Sequence, residues 1–217
     1  MRGVKGLFIA LEGIDAVGKK TQTRLLNSWL ESEGLTARTL SFPAYETTIG
    51  KEIKKFLAGT VSYPPQVRAM LYAANRWEKK ADLEATLSKN DVTIVNRYTG
   101  SNLAYGLSSG LGLEWLLGLE EGLPEPDLVL VLDAPPTTLV PRRGEKKDSY
   151  ERNISLQKSA RSAYLMLAAK FGWTVIDADR GVVDVNKKVK IAVIKALDSR
   201  QKNAKPFKTL GPSLKQT

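Results

Sequence analysis

Apolar and polar positions along the chain alternate between short apolar runs and amphipathic stretches. The mostly apolar runs cover 6–12, 35–42, 92–96, 127–134 and 173–178. Short runs of this kind are typical of strands that are buried on both faces of a parallel sheet. The pattern therefore predicts a strand at each of these positions.

Between the runs, apolar residues recur at helical spacing. The first such stretch, 18–33, carries an apolar stripe made by Leu25, Leu26, Trp29 and Leu30. Further helices are predicted over 46–58, 66–88, 150–171 and 183–198. Strands that alternate with helices predict an α/β fold, here a single domain with a five-stranded parallel sheet and helices on both faces. In such sheets, ligands bind beyond the carboxyl ends of the strands.

Composition narrows the chemistry that this domain can perform. Of 217 residues, 42% are hydrophobic and 26% charged, which fits a soluble globular domain, and no apolar run reaches the roughly 18 residues of a membrane span. The chain has no cysteine, so we expect no disulfide and a cytoplasmic location. It also has no histidine, which excludes imidazole acid–base chemistry. Phosphoryl transfer suits the remaining residues because it depends on positioning and charge stabilisation.

The net charge of +10 predicts an anionic partner, either a nucleotide or a nucleic acid. Part of the excess lies in a tail, 199–217, that contains no acidic residue. Its basic residues are Arg200, Lys202, Lys205, Lys208 and Lys215. We expect the domain to span 1–198 and the tail to be flexible, with its charge serving either solubility or function.

The stretch "EGIDAVGKKTQ" follows the first predicted strand and opens the first predicted helix. Gly13, Gly18 and Lys19 have the spacing of a phosphate-binding loop. Glycines let such a loop turn tightly with its N–H groups inward, and the helix dipole adds positive potential. Lys19 is expected to reach the β- and γ-phosphates of a nucleoside triphosphate.

Lys20 stands where this loop normally has a serine or threonine that binds Mg²⁺. An ammonium group repels a metal ion and cannot coordinate it. Either Mg²⁺ is held through phosphates and water, or Lys20 itself neutralises phosphate charge.

Seven stretches, spread in order over 6–198, resemble the thymidylate kinase family, whose members phosphorylate dTMP with ATP. They are "LEGIDAVGKKTQ", "FPAYETTIGKEIKKFL", "LYAANRWEKKADLEATL", "NRYTGSNLAYG", "DLVLVLDAPP", "DSYERNISLQ" and "VIDADR". The resemblance implies a P-loop nucleoside monophosphate kinase that converts dTMP to dTDP, with ATP as phosphoryl donor and Mg²⁺ as cofactor. It also implies a homodimer, and no nucleic-acid or membrane partner is expected.

The resemblance assigns roles around the acceptor nucleotide. It implies that Asp15 accepts a hydrogen bond from the sugar 3′-hydroxyl, that Tyr72 stacks on thymine and that Arg76 contacts the base or the nearby phosphate. Arg97 is expected to bind the acceptor phosphate through its planar fork. Further acceptor-site candidates are Phe42, Pro43, Ser101, Asn102, Tyr105, Tyr150 and Gln157.

On the donor side, the resemblance implies that a basic lid over about 142–150 closes on ATP. Because the phosphate loop lacks an arginine, Arg142 and Arg143 are the candidates for the catalytic arginine, beside Lys19 and Arg97. The other residues expected to bind ATP are Gly13, Ala16, Val17, Gly18, Lys20, Thr21 and Arg180. Glu12 and Asp133 are carboxylates that can assist a metal through water.

Three residues depart from the family pattern where the chemistry takes place. Besides Lys20, Asn96 replaces the usual aspartate before Arg97, and Tyr45 replaces a common arginine. The first two changes each raise the local charge by about one unit. We therefore expect slower catalysis or a broader choice of acceptor than the full motif set gives.

Two alternatives remain open at the level of sequence. A deoxynucleoside kinase has a similar fold, but it needs a carboxylate base, whereas Arg97 favours a phosphate acceptor. A non-catalytic relative that binds nucleotides or nucleic acid would explain the charge of +10, Lys20 and Asn96.

Overall fold

The computed structural model describes residues 6–139 and 153–203. Within them, five strands form one sheet in the order β2-β3-β1-β4-β5, and every neighbouring pair is parallel. The strands are β1 (Leu7–Glu12), β2 (Ala37–Ser41), β3 (Val92–Asn96), β4 (Leu128–Asp133) and β5 (Thr174–Asp177). The predicted five-stranded parallel α/β fold is confirmed.

Eight helices connect and follow these strands within the described residues. They are α1 (Lys19–Ser32), α2 (Thr48–Leu57), α3 (Pro65–Glu78), α4 (Lys80–Lys89), α5 (Thr99–Ser108), α6 (Leu113–Glu120), α7 (Ile154–Phe171) and α8 (Val182–Asn203). None of these helices is apolar over a length that would cross a bilayer.

The central strand, β1, is apolar from Leu7 to Leu11 because it is buried on both faces of the sheet. All six of its residues are buried, and alternate residues face opposite sides of the sheet. Ile9 belongs to the same apolar cluster as Leu26 of α1, whereas Phe8 belongs to a second cluster with Leu83 of α4. Helices therefore cover both faces, as predicted.

The prediction of one continuous helix over 66–88 is wrong, because the chain forms two helices there, α3 and α4. The chain leaves helical geometry at Lys79, with φ −101° and ψ 7°, after α3. The amide of Lys79 bonds the carbonyl of Arg76, three residues back, and the carbonyl of Lys79 then accepts the first bond of α4 from Leu83. The new direction brings Leu83 against the sheet.

The last helix continues past its predicted end at 198 and reaches Asn203. Arg200 explains why it continues, because its guanidinium pairs with Asp127 at 2.8 Å and also bonds the carbonyl of Gly6. These contacts tie the helix to the amino edge of the sheet, away from the predicted site. Residues 204–217 of the expected tail lie outside the described residues.

The order of the strands locates the ligand cleft. β1 lies between β3 and β4 in the sheet. The chain therefore runs from β1 to β2 at one edge of the sheet, but from β3 to β4 on the other side of β1. A cleft opens beyond the carboxyl ends of the strands at such a switch point. The glycine loop and Arg97 both lie there.

Candidate active site

The loop between β1 and α1 has the backbone of a phosphate cradle. Gly13 and Gly18 have φ of 130° and 102°, which favour glycine, and a Cβ on Gly13 would lie 2.4 Å from the carbonyl oxygen of Leu132. The buried Lys19 reaches back across the loop, and its Nζ donates to the carbonyls of Gly13 at 2.9 Å and Ile14 at 2.7 Å. An ammonium group is thus held at the mouth of the cradle.

An ion pair between Asp15 and Arg97 joins this loop to the end of β3. Arg97 also donates to the carbonyl of Gly13 at 3.2 Å and to Ser101 Oγ at 3.1 Å. Its backbone has φ 62°, a strained value for a residue with a side chain, and its amide bonds the carbonyl of Leu11 at 3.0 Å. The strain persists because these bonds fix the guanidinium beside the loop.

Asp15 is held by three side chains at once. Besides Arg97, its Oδ2 accepts hydrogen bonds from Tyr105 at 2.9 Å and from Gln157 Nε2 at 2.8 Å. Burial alone would raise the pKa of Asp15, but the charges of Arg97 and Lys19 and the bonds from Gln157 and Tyr105 outweigh it and lower the pKa to about 2. The carboxylate is therefore ionised at neutral pH.

The same interactions fix the protonation of the neighbouring groups. Burial works against the charge of Arg97, yet the carboxylate of Asp15 dominates and raises the pKa of Arg97 well above its ordinary value. Burial also raises the pKa of Tyr105 well above its usual range. Tyr105 therefore keeps its proton and donates a hydrogen bond to Asp15.

Glu12 lies beneath this network and is fully buried. Its Oε1 accepts the backbone N–H of Tyr98 at 2.8 Å, and its Oε2 accepts the hydroxyls of Ser101 at 2.6 Å and Tyr164 at 3.1 Å. Gly100 fits against it, because a Cβ there would lie 3.0 Å from Glu12 Oε1. Glu12 thus braces the start of α5 under Arg97.

A cavity of about 510 Å³ opens beside the ion pair. Nine residues predicted to bind the acceptor line it: Asp15, Phe42, Pro43, Tyr72, Arg76, Arg97, Ser101, Asn102 and Tyr105. The cavity is large enough for a nucleotide-sized ligand. Gln157 does not line it but acts on it through Asp15.

The far end of the cavity contains a buried ion pair that the sequence interpretation missed. Arg76 Nε donates to Glu120 Oε2 at 2.9 Å, with a second bond from its Nη2 to Oε1. Asn102 Nδ2 donates to the same Glu120 Oε1 at 2.6 Å. Glu120 is the last residue of α6, a helix that was not predicted. Its carboxylate holds two of the predicted acceptor-site side chains in place.

A second residue that was not predicted, Asn75, fixes another part of the cavity wall. Its buried side chain accepts from the amide of Ala44 at 2.8 Å and donates to Thr47 Oγ1 at 2.8 Å. These bonds hold the turn that follows Phe42 and Pro43, both of which line the cavity.

The donor-side candidates Arg142 and Arg143 lie outside the described residues, as does Tyr150 of the acceptor-side candidates. Ala16, Val17 and Thr21 lie on the loop and the start of α1, with Ala16 at φ 62°. Arg180 pairs with Asp177 at 2.9 Å beyond the end of β5. Lys20, which was expected to bind ATP, is among the residues that line the cavity of about 510 Å³.

The donor groups present do not fit a Mg²⁺ ion held directly by the protein. Glu12 is occupied by the three hydrogen bonds described above, and Asp133 forms a bidentate pair with Arg161 at 2.7 and 2.8 Å. Lys20 occupies the position of the metal-binding hydroxyl. Over 6–139 and 153–203, no group of three or more acidic side chains is placed to hold a metal.

A glycine loop closed by a lysine, facing a nucleotide-sized cavity with a guanidinium at its mouth, defines a P-loop nucleotide kinase. The model of the thymidylate kinase family matches residues 11–189. The chain belongs to the thymidylate kinase family. It is an ATP-dependent phosphotransferase that acts on dTMP, and the expected family and activity are confirmed.

Individual relatives agree with the family match. The thymidylate kinase of Arabidopsis thaliana is 35% identical over 190 residues, which cover 88% of this chain and 72% of the plant protein. The probable thymidylate kinase of Pyrococcus abyssi is 35% identical over 205 residues, covering 88% and 97%. The solved thymidylate kinase of Candida albicans superposes with a TM-score of 0.79 at 26% identity, covering 89% of this chain and 93% of the fungal chain.

Proposed function

We propose that the glycine loop holds ATP and the cavity of about 510 Å³ holds dTMP, so that the acceptor phosphate attacks the γ-phosphoryl group directly. The position of Arg97 carries this proposal. Its guanidinium lines the cavity and bonds the carbonyl of Gly13 in the loop. A phosphate bound by Arg97 would therefore lie beside the donor, in a geometry that replaces a bimolecular encounter by a positioned one.

The ionised Asp15 would orient the sugar of the acceptor. A carboxylate that stays charged is a strong hydrogen-bond acceptor for the 3′-hydroxyl, and Tyr105 and Gln157 fix its direction. Because Asp15 is paired with Arg97, the sugar and phosphate contacts are linked by one ion pair.

The base would lie at the far end of the cavity. Tyr72 offers an aromatic face on which thymine can stack, worth about 1–3 kcal/mol. Arg76 and Asn102 can read the polar edge of the base, and Glu120 holds both.

On the donor side, Lys19 would neutralise the β- and γ-phosphates, with Gly13, Ala16, Val17 and Gly18 around them. Thr21 and Arg180 complete the proposed ATP contacts, and Arg142 or Arg143 would supply the catalytic arginine. Mg²⁺ remains part of the proposal as a companion of ATP held by phosphate oxygens and water, which this ion tolerates.

Tyr45 supports an acceptor choice broader than dTMP, or slower transfer. It lines the cavity and its side chain is neutral. The Candida albicans enzyme is described as having broad substrate specificity.

A coupled assay of ADP release tests the function. ATP should be consumed with dTMP but not with thymidine, and dUMP, dCMP and dGMP should give measurable rates. Turnover of thymidine at the rate of dTMP would contradict the proposal, and fast turnover of dTMP alone would contradict the broadened choice. Repeating the assay without Mg²⁺ measures how far the reaction depends on the metal.

We also propose a cytoplasmic homodimer. Its support is a pair of exposed aromatic side chains on α3 and α6, Trp77 and Trp115, which are 42% and 41% exposed. The indole of Trp77 donates to the carbonyl of Leu119 at 3.2 Å, so the two helices lie side by side. Exposed aromatic residues in a group are typical of protein–protein contacts.

A further inference from the structure

Lys19 and Lys20 are consecutive at the start of α1, but their side chains point to different parts of the site. Lys19 turns back to the carbonyls of Gly13 and Ile14, on the donor side of the loop. Lys20 is exposed and lines the acceptor cavity together with Asn96 and Arg97. A position that would face the donor and its metal in the usual loop thus faces the acceptor here.

The charge of Lys20 remains available for a ligand. The three arginines that line the cavity already have partners. Arg97 is paired with Asp15, Arg76 is paired with Glu120, and the guanidinium of Arg68 lies 5.5 Å from the centre of the Phe56 ring. Within the described part of the chain, the side chain of Lys20 has no ion pair or hydrogen bond.

Asn96 keeps that charge available. It is the last residue of β3 and lines the cavity beside Arg97. Its Oδ1 is buried and accepts no hydrogen bond within the described residues. An aspartate in its place would add a negative charge to the wall that Lys20 shares and would compete with a phosphate for the ammonium group.

We infer that Lys20 binds the phosphate of the acceptor nucleotide, as a second cation in addition to Arg97, and does not serve ATP or its metal. A nucleoside monophosphate brings up to two negative charges, whereas Arg97 shares its own charge with Asp15. The two cations together match the acceptor phosphate. This inference rests on the proposed function of the cavity.

Equilibrium binding without the second substrate separates the two roles of Lys20. We would titrate dTMP, thymidine and ADP into wild type, Lys20→Met and Lys20→Arg by calorimetry. Lys20→Met should lower the affinity for dTMP about tenfold or more, which is the usual effect of losing a charged hydrogen bond. The affinities for thymidine and ADP should stay within about threefold of the wild-type values. Lys20→Arg keeps the charge and should restore most of the dTMP affinity. Lys89→Met, which removes an exposed lysine of α4, is the matched control and should leave all three affinities unchanged.

Three outcomes would overturn the inference. Weaker ADP binding with unchanged dTMP binding would return Lys20 to the donor side. Equal losses for dTMP and thymidine would show damage to the cavity, and no change in any affinity would make Lys20 a surface cation. Turnover of dTMP by wild type is measured separately, so failure of the proposed function and failure of this inference are distinguishable.

Discussion

Replacing Glu120 by alanine tests whether the buried ion pair organises the base end of the cavity. The side chains of Arg76 and Glu120 are 3% and 6% exposed, so neither can regain water when its partner is removed. Glu120→Ala leaves a buried guanidinium without a counter-charge and takes one acceptor from Asn102.

The expected cost is about 3–5 kcal/mol of the free energy of unfolding, which is typical when one partner of a buried pair is removed. For a chain of this length, each kcal/mol corresponds to about 2–4 °C in melting temperature, so Tm should fall by about 6–20 °C. The KM for dTMP should rise as well, because Arg76 and Asn102 lose the group that positions them. Urea unfolding, calorimetry and steady-state kinetics measure these effects.

Two further variants make the reasoning refutable. Glu121→Ala removes the neighbouring carboxylate, which is exposed, and should change stability by less than about 0.5 kcal/mol. Arg76→Met with Glu120→Leu removes both charges and should recover most of the lost stability, while dTMP affinity stays low. If Glu120→Ala costs no more than Glu121→Ala, the pair is not desolvated and the argument fails.

Three more predictions concern other parts of the molecule. The pKa of Asp15 is lowered from 3.8 to about 2, so its charge should stabilise the fold by about 2 kcal/mol above pH 4. Relative to Asp15→Asn, this stabilisation should be lost as pH falls towards 2. If urea unfolding gives the same difference in stability between wild type and Asp15→Asn at pH 7 and at pH 2.5, the prediction is contradicted. Gly13→Ala should abolish ATP binding and lower Tm, because its Cβ meets the Leu132 carbonyl, whereas Gly118→Ala, with open space around its Cβ, should do neither; equal melting temperatures for the two variants would refute the clash. Trp115→Lys should convert a dimer to a monomer in sedimentation equilibrium, and an unchanged mass would place the interface elsewhere.

The sheet and the glycine loop could be predicted because their causes are local. A strand buried on both faces is apolar along most of its length, as β1 is from Leu7 to Leu11, and a loop with φ of 130° and 102° favours glycine at both positions. Periodicity alone could not divide the helix at Lys79, because the change of direction is set by packing of Leu83 on the sheet.

The cavity residues were found through the family resemblance, and their partners were not. Arg76 and Glu120 are 44 residues apart, and nothing in the local pattern of either indicates the other. The apolar spacing of "LEWLLGLE" is a signal that could have predicted α6, and with it a carboxylate at the end of a buried helix face. The direction of Lys20 depends on the start of α1 in three dimensions, so sequence left its role open.

The fixed charges of the network around Asp15 have a consequence for how the enzyme responds to acidity. Asp15 ionises far below neutrality, Arg97 and Tyr105 hold their protons far above it, and the chain has no histidine to titrate between them. A phosphate monoester, in contrast, gives up its second proton near pH 6. The rate profile between about pH 5 and pH 8 should therefore follow the titration curve of the nucleotide, so the substrate and not the catalyst is the acid-sensitive component.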